Sequence, residues 1–354
     1  AEMTAKAIEI LSRDPEGFAD GTVRSPSGSR LAPPRLASAA VGSQRESPPV
    51  IRYTARRLAA FVPTLWAIAT LTFFLVRLAP GGPFQAERDI PPAARAALAA
   101  KYGLDRPLAQ QYGAFLANAA RLDFGPSYKF PARQVRDIIL EGFRVSAELG
   151  GWALLVALLA GIPLGVVAAL RRGTAADAAV MGLALAGVSV PNFVLGPLLV
   201  LAFALGLYWL PPALWEGPAS RVLPVLTLAA AYAAYVARLT RAGMLEVLRQ
   251  DFVRTARAKG LPERLVVLRH ALRPGLLPVV SYLGPAAAAI VMGSLVVEQV
   301  FAVPGLGRYL VQGAFNRDYT LVTGVVLFYA AFLMALNLLV YLAHAWLDPR
   351  VELS

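Results

Sequence analysis

Apolar runs long enough to cross a bilayer alternate with short arginine-bearing connections along most of this chain. A hydrocarbon core of ~30 Å takes about 20 helical residues. Six segments reach or approach that length: 58–78, 149–170, 178–209, 222–237, 276–297 and 319–347. The first is broken only by Arg77, placed where its long side chain can reach the interface. The third carries Pro191 and Pro197, which predict a kink or an unwound stretch. The fourth is short by itself and is expected to continue past Arg238.

Between the first two spans lies a long polar stretch, 79–148, with its own helical signals. Pro91-Pro92 opens a run, AARAALAAKY, that Gly103 can end. A second run, PLAQQYGAFLANAARL, closes at Asp123-Phe124-Gly125. Val135, Ile138, Ile139 and Phe143 then form an amphipathic lead-in to the second span. The expectation is a small folded external subdomain. Pro304-Gly305-Leu306-Gly307 cannot continue a helix, so 303–316 is expected to be re-entrant or a surface connection. Asp318, beside Arg317, reads as a helix-end or partner contact.

Residues 1–50 are different. They are rich in Ser, Pro, Gly and Arg without a sustained apolar period, which predicts disorder. No apolar stretch of secretory-signal length precedes Arg52. One expectation is that this extension stems from a misassigned start.

Composition sharpens the picture. Of 354 residues 57% are hydrophobic and 16% charged, with a mean hydropathy of +0.56. Lipid is the solvent that suits so apolar a chain. Without cysteine there are no disulfides or thiolate metal sites, and two distant histidines, His270 and His344, make no metal cluster. A net charge of +12 would suggest nucleic acid in a soluble protein, but its distribution points elsewhere. Arg52, Arg56 and Arg57 precede the first span, and Arg171 and Arg172 separate the second from the third. Nine bases fall between the fourth and fifth, at 238, 241, 249, 254, 257, 259, 264, 269 and 273, against three acids there. All three regions lie on one side of a six-span chain, which the positive-inside rule makes cytoplasmic, with both termini.

The most informative stretch is the basic connection, 238–275. Leu245, Leu248, Phe252 and Ala256 recur at helical spacing, with arginines on the other faces. Gly260 can take left-handed helix-end geometry, and Pro262 stops the helix from resuming at once. A short helix with an apolar ridge and a sharp turn suits docking into a partner's groove. A solvated basic loop beside anionic lipid is the plainer alternative, but it has no use for that ridge.

TARAKGL followed by LRHALRPGLLPV resembles the cytoplasmic loop of ATP-binding-cassette importer permeases, more narrowly the dipeptide and oligopeptide branch. ARRLAAFVPTLWAIATLTFFLVRLAPGGPF, LDFGPSYKF, GSLVVEQVFAVPGLGRYLVQGAFNRDYTLV and LDPRV resemble the same branch, so the likeness covers about residues 52–351. PGGPFQAERDIPPAARAALAAKYGLDRPLAQQY looks most like its B-type oligopeptide subunit. The resemblance implies an all-α polytopic domain over 51–354, with six spans of the type I importer kind. It implies that Phe252, Thr255, Ala256, Ala258, Lys259, Gly260 and Leu261 couple to an ATPase subunit. Where the wider class reads Glu-Ala-Ala before the loop glycine, this chain reads Arg254, Thr255, Ala256, so a base replaces the acid. It also implies partners: a second homologous permease, two ATPase subunits, an extracytoplasmic peptide-binding protein and the lipid bilayer of a bacterial inner membrane, with no nucleic acid.

No G-x-x-x-x-G-K-[ST] loop occurs, so ATP and Mg would be bound by the partner ATPases and this chain would be no enzyme. Dipeptides or nickel chelates are alternative cargoes on the same architecture. An ion-coupled carrier would want acids in mid-span, and an intramembrane enzyme would want paired catalytic groups at depth; the sequence offers neither. Glu298 reads as an interfacial residue, and His344 is the ionisable group placed most clearly within a span.

Overall fold

The computed structural model of the chain describes residues 50–78, 82 and 91–347. The expected disorder of 1–50 falls almost wholly outside those residues, and so do LDPRV beyond Leu347 and the side chain of His344. Among the described residues the fold is helical throughout, with one isolated antiparallel bridge between Pro126 and Gln134.

We number the helices in chain order. The first, α1 (Val50–Leu78), runs unbroken through Pro63. Two short helices follow, α2 (Pro92–Lys101) and α3 (Leu108–Ala120), where the two helical runs are expected. Gly103 (φ +66°) and Gly125 (φ +73°) take the left-handed turns that follow them. The amphipathic lead-in and the second apolar segment fuse into one helix, α4 (Val135–Leu170), of 36 residues and about 54 Å.

The third apolar segment is not one continuous helix. It divides at Pro191 into α5 (Ala175–Ser189) and α6 (Asn192–Leu199), the latter prolonged by a wide turn over Val200–Gly206, and the two arms meet at 106°. Pro191 removes a backbone donor and forces Val190 into extended geometry (φ −85°, ψ 115°), so the bend exceeds a proline kink. Helix α7 (Pro218–Val247) passes Arg238 by nine residues, as the shortness of its apolar core demands. After the basic connection come α11 (Leu277–Val300), α12 (Leu306–Phe315) and α13 (Tyr319–Leu347). Among the described residues five helices are long and apolar enough to span a membrane, or six if the bent pair counts as one.

The centre of the bundle is α4 packed along α7. Its seam is a stripe of small residues: a Cβ on Gly161 would lie 2.7 Å from the Ala233 carbonyl oxygen, and one on Gly165 2.5 Å from that of Ala237. Backbones that close need glycine, and in lipid such approach supplies much of the attraction between helices. Helices α11 and α13 complete the core around Leu149, Leu228, Ile290 and Val325, all buried. Helix α1 packs chiefly on α13 and leaves Val62, Trp66, Leu71 and Leu75 exposed.

Candidate functional site

The basic connection folds as a compact hairpin rather than a loop. Helix α8 (Asp251–Ala258) starts one turn after α7 ends, with Gln250 in extended geometry between them. It closes through Lys259 and Gly260. The Gly260 N–H bonds the Arg257 carbonyl at 2.9 Å and the Leu261 N–H bonds that of Ala256 at 3.4 Å. Gly260, at φ +77°, takes the left-handed position this paired closure needs. Pro262 then sets the start of α9 (Glu263–Leu265), which continues through a wide turn at Val266–Ala271 into α10 (Leu272–Gly275).

Two ion pairs brace the region. Arg257 grips Glu263 through one guanidinium edge, Nη2 at 2.7 Å and Nε at 3.1 Å, and so holds the Glu263 carboxyl below the usual carboxylate range. Asp177, near the start of α5, takes the same fork from Arg241 of α7 at 2.7 and 2.8 Å. The Gly173 N–H, 3.0 Å away, also donates to Asp177. The hairpin has its own core: Val253, Ala256, Val266, Val267 and Ala271 pack with Ala169 of α4 and with Met244 and Val247 of α7. Where Gly243 passes Gly275, a Cβ would sit 2.2 Å from the Gly275 carbonyl oxygen.

The candidate coupling residues divide between two faces. Ala256 is buried beside Val253, and Leu261 is half-buried over the same core. Phe252, Thr255, Ala258, Lys259 and Gly260 are exposed, and Phe252, Thr255 and Lys259 lie at i, i+3 and i+7 on the outward face. The ridge from Leu245 through Leu248 and Phe252 to Ala256 is therefore not one surface. The backbone breaks at 248–250, which resets the helical phase, so Leu245 and Leu248 pack against the hairpin core while Phe252 points away.

The opposite end of the bundle carries two polar clusters that sequence reasoning misses. Glu298, in the last turn of α11, is fully buried within the protein. Its Oε1 accepts from the Ser146 hydroxyl of α4 at 2.6 Å and lies 2.6 Å from Ser294 Oγ; its Oε2 accepts from the Arg308 N–H at 3.0 Å. Ser146 Oγ in turn accepts from the Leu306 N–H at 2.8 Å. Glu298 and Ser146 together cap α12, satisfying amide donors that a helix start leaves orphaned. The segment expected to be re-entrant or a surface connection contains a ten-residue helix seated on α4, α11 and α13.

Asp318 is the second cluster, and a helix-end contact as its position suggests. One carboxylate oxygen accepts from Ser127 Oγ at 2.5 Å and the Lys129 N–H at 3.1 Å. The other takes Thr320 Oγ1 at 2.9 Å and the Leu321 N–H at 3.1 Å. It ties the 123–134 turn to the start of α13. Nearby, burial pushes the Tyr128 hydroxyl up to about 12, so it stays protonated at any physiological pH. Among the described residues no group of three or more His, Cys, Asp or Glu could hold a metal ion.

Comparison with known proteins places this architecture. The family described as binding-protein-dependent transport system inner membrane component matches residues 161–353. The chain is 46% identical over 305 residues to the oligopeptide transport system permease protein OppB of Escherichia coli strain K12, covering 86% of this chain and 100% of that protein. It is 45% identical over 302 residues to the dipeptide transport system permease protein DppB of Bacillus subtilis strain 168, covering 85% and 98%. Among solved structures it is similar to an amino acid ABC transporter, at 16% identity and a TM-score of 0.47, over 59% of this chain and 94% of that one. The chain belongs to the inner membrane components of binding-protein-dependent transport systems, in the branch of peptide permeases.

Proposed function

We propose that this chain is the membrane-spanning permease subunit of an ATP-driven importer that carries oligopeptides across a bacterial inner membrane. The carrying observation is the hairpin of α8 and α9, which offers Phe252, Thr255 and Lys259 outward while its inner face is cored into α4 and α7. A surface exposed on one side and cored into two spans on the other suits transmission of force from a soluble partner. The partners are a second homologous permease, two ATPase subunits and an extracytoplasmic peptide-binding protein. ATP and Mg belong to the ATPases, since this chain encodes no phosphate-cradling loop. Phe252, Thr255, Ala258, Lys259 and Gly260 contact an ATPase directly, while Ala256 and Leu261 hold the hairpin that presents them.

The hairpin and both chain termini face the cytoplasm, because the arginines gather at that end. The 79–148 segment faces outside, beside the binding protein. Peptide passes between this chain and the second permease, and the ATPases switch access by displacing the hairpin.

Uptake of a labelled tetrapeptide by cells lacking the gene tests this, with complementation by wild type or Gly260→Asp. Wild type restores uptake and the variant, though present in the membrane, does not. A gene without effect on uptake removes the oligopeptide reading; a fully active variant removes the docking role of the hairpin. The likeness to a dipeptide permease supports a second cargo, and a labelled dipeptide in the same cells separates the two.

A further inference from the structure

At the end of the bundle away from the basic hairpin, α1, α2, α3 and the start of α13 enclose a cleft of about 290 Å³. Three cations line it: Arg77 from the last turn of α1, Lys101 at the end of α2, and Arg106 before α3. Among the described residues none of the three has a carboxylate within ion-pair distance. One acid, Asp123, also lines the cleft, and its Oδ1 accepts from the Gly125 N–H at 3.0 Å. Among the described residues the lining therefore carries a net positive charge.

Arg77 is held in place without being neutralised. Its guanidinium stacks 3.5 Å over the Phe73 ring and donates to the Phe73 carbonyl at 3.1 Å and to Gln111 Oε1 at 3.3 Å. That uses two of five N–H donors and leaves three for a ligand. A guanidinium fork fixed in this way matches the oxygens of a phosphate.

Depth decides which phosphate. Arg77 ends an apolar segment of 21 residues, 58–78, which spans about 31 Å of hydrocarbon, so its charge lies at the headgroup layer. Helix α1 leaves an apolar surface of Val62, Trp66, Leu71 and Leu75 exposed below that point. Tyr102 and Tyr128, also in the wall, are the amphipathic residues that favour this layer. At about 290 Å³ the cleft has room for a polar group of headgroup size.

We infer that this cleft binds the phosphate headgroup of an anionic phospholipid, held by Arg77 with Lys101 and Arg106 at the rim. In the orientation proposed above the lipid belongs to the outer leaflet. The bound headgroup joins α1, which packs on the bundle chiefly through α13, to the α2–α3 segment.

Native mass spectrometry of the whole purified importer, titrated with phosphatidylglycerol or phosphatidylcholine, tests this without any transport readout. Wild type should prefer phosphatidylglycerol about tenfold, the scale of one charge-assisted contact, and Arg77→Gln should abolish that preference. The double variant Lys101→Gln/Arg106→Gln changes only exposed side chains and should weaken the preference about threefold, so the inference stays testable if Arg77→Gln fails to assemble. Equal retention of the two lipids by wild type overturns it, as does an unchanged preference in the double variant. Displacement of the lipid by millimolar inorganic phosphate assigns the cleft to a free anion instead, and displacement by a tetrapeptide assigns it to cargo.

Discussion

Replacing Glu298 with alanine removes the acceptor on which three elements converge. Its carboxyl takes the Ser146 hydroxyl and the Arg308 N–H and lies against Ser294 Oγ, all at a fully buried position. Ser294 Oγ also lies 2.8 Å from the Val291 carbonyl oxygen, and Ser146 lies beside the Tyr329 hydroxyl, so each keeps a neighbour to pair with; the Arg308 amide does not. One orphaned donor costs about 1–3 kcal/mol before any cavity is counted. Glu298→Gln retains Oε1 but points an amide N–H at the Arg308 N–H, a loss of about 1–3 kcal/mol. At about 2–4 °C for each kcal/mol, the alanine variant should melt about 2–12 °C lower. The assay is thermal unfolding of the purified complex, followed by loss of its monodisperse gel-filtration peak. The double variant with Ser146→Ala should lose less than the sum of the singles, because both report one contact. A melting temperature within about 1 °C of wild type would refute the claim that this cluster holds α12 in place.

Four further outcomes follow from the same structure. Gly165→Ala drives a Cβ to 2.5 Å from the Ala237 carbonyl oxygen, and the overpacked seam should cost about 1–3 kcal/mol in thermal unfolding, whereas Gly182→Ala, with nothing within 4 Å, should not destabilise. Ala302 sits at φ +53° at the end of α11, so Ala302→Gly should stabilise the complex by about 1 kcal/mol and raise its melting temperature. Asp177→Asn leaves the Arg241 fork facing a neutral group; amide hydrogen exchange in 171–174 should quicken, while exchange within α12 stays unchanged. Arg257 lowers the Glu263 carboxyl from its ordinary 4.5, so the stabilisation is present above that pH and lost as pH falls through the lowered value. Carbon-13 titration of Glu263 should show a midpoint below 4.5 that returns towards it in Arg257→Gln.

The spans were legible because their signal is one-dimensional. Apolar length fixes a membrane helix, and the last one runs over Tyr319–Leu347 as its hydropathy alone demands. Breakers were legible as positions but not as angles. Pro191 announces an interruption, yet nothing local distinguishes a kink from the 106° turn observed, which depends on what α6 finds to pack against. At 304–307 the inference from glycine and proline was half right: Pro304 and Gly305 stop α11 from continuing, and Gly305 then serves as the N-cap of a new helix. The polar clusters were out of reach for a simpler reason. Ser146 and Glu298 are 152 residues apart, and Ser127 and Asp318 191, so no window of sequence contains either pair. On α8 the apolar period was real but its phase was not, since residues 248–250, Leu248 among them, lie outside both helices.

Placement of the stiff and compliant parts explains how a hairpin at one end can act on the other. The hairpin core contains Ala169, Met244 and Val247, residues of α4 and α7 themselves, so it cannot shift without moving those helices. The two helices meet backbone to backbone at Gly161 and Gly165, where no flexible side chain lies between them to absorb a displacement. Helix α4 then continues unbroken to Gly142, where an added Cβ would lie 3.1 Å from Leu306 at the start of α12. The stretch of α4 from Ala169 to Gly142, about 40 Å, thus joins the hairpin to the start of α12, with Pro163 as a position inside it that lacks a backbone donor. The breaks lie outside this pair: the turn at Pro191 and the left-handed residues Ala302 and Arg317 on either side of α12. In the function proposed above, a continuous pair bounded by such breaks suits movement as a body.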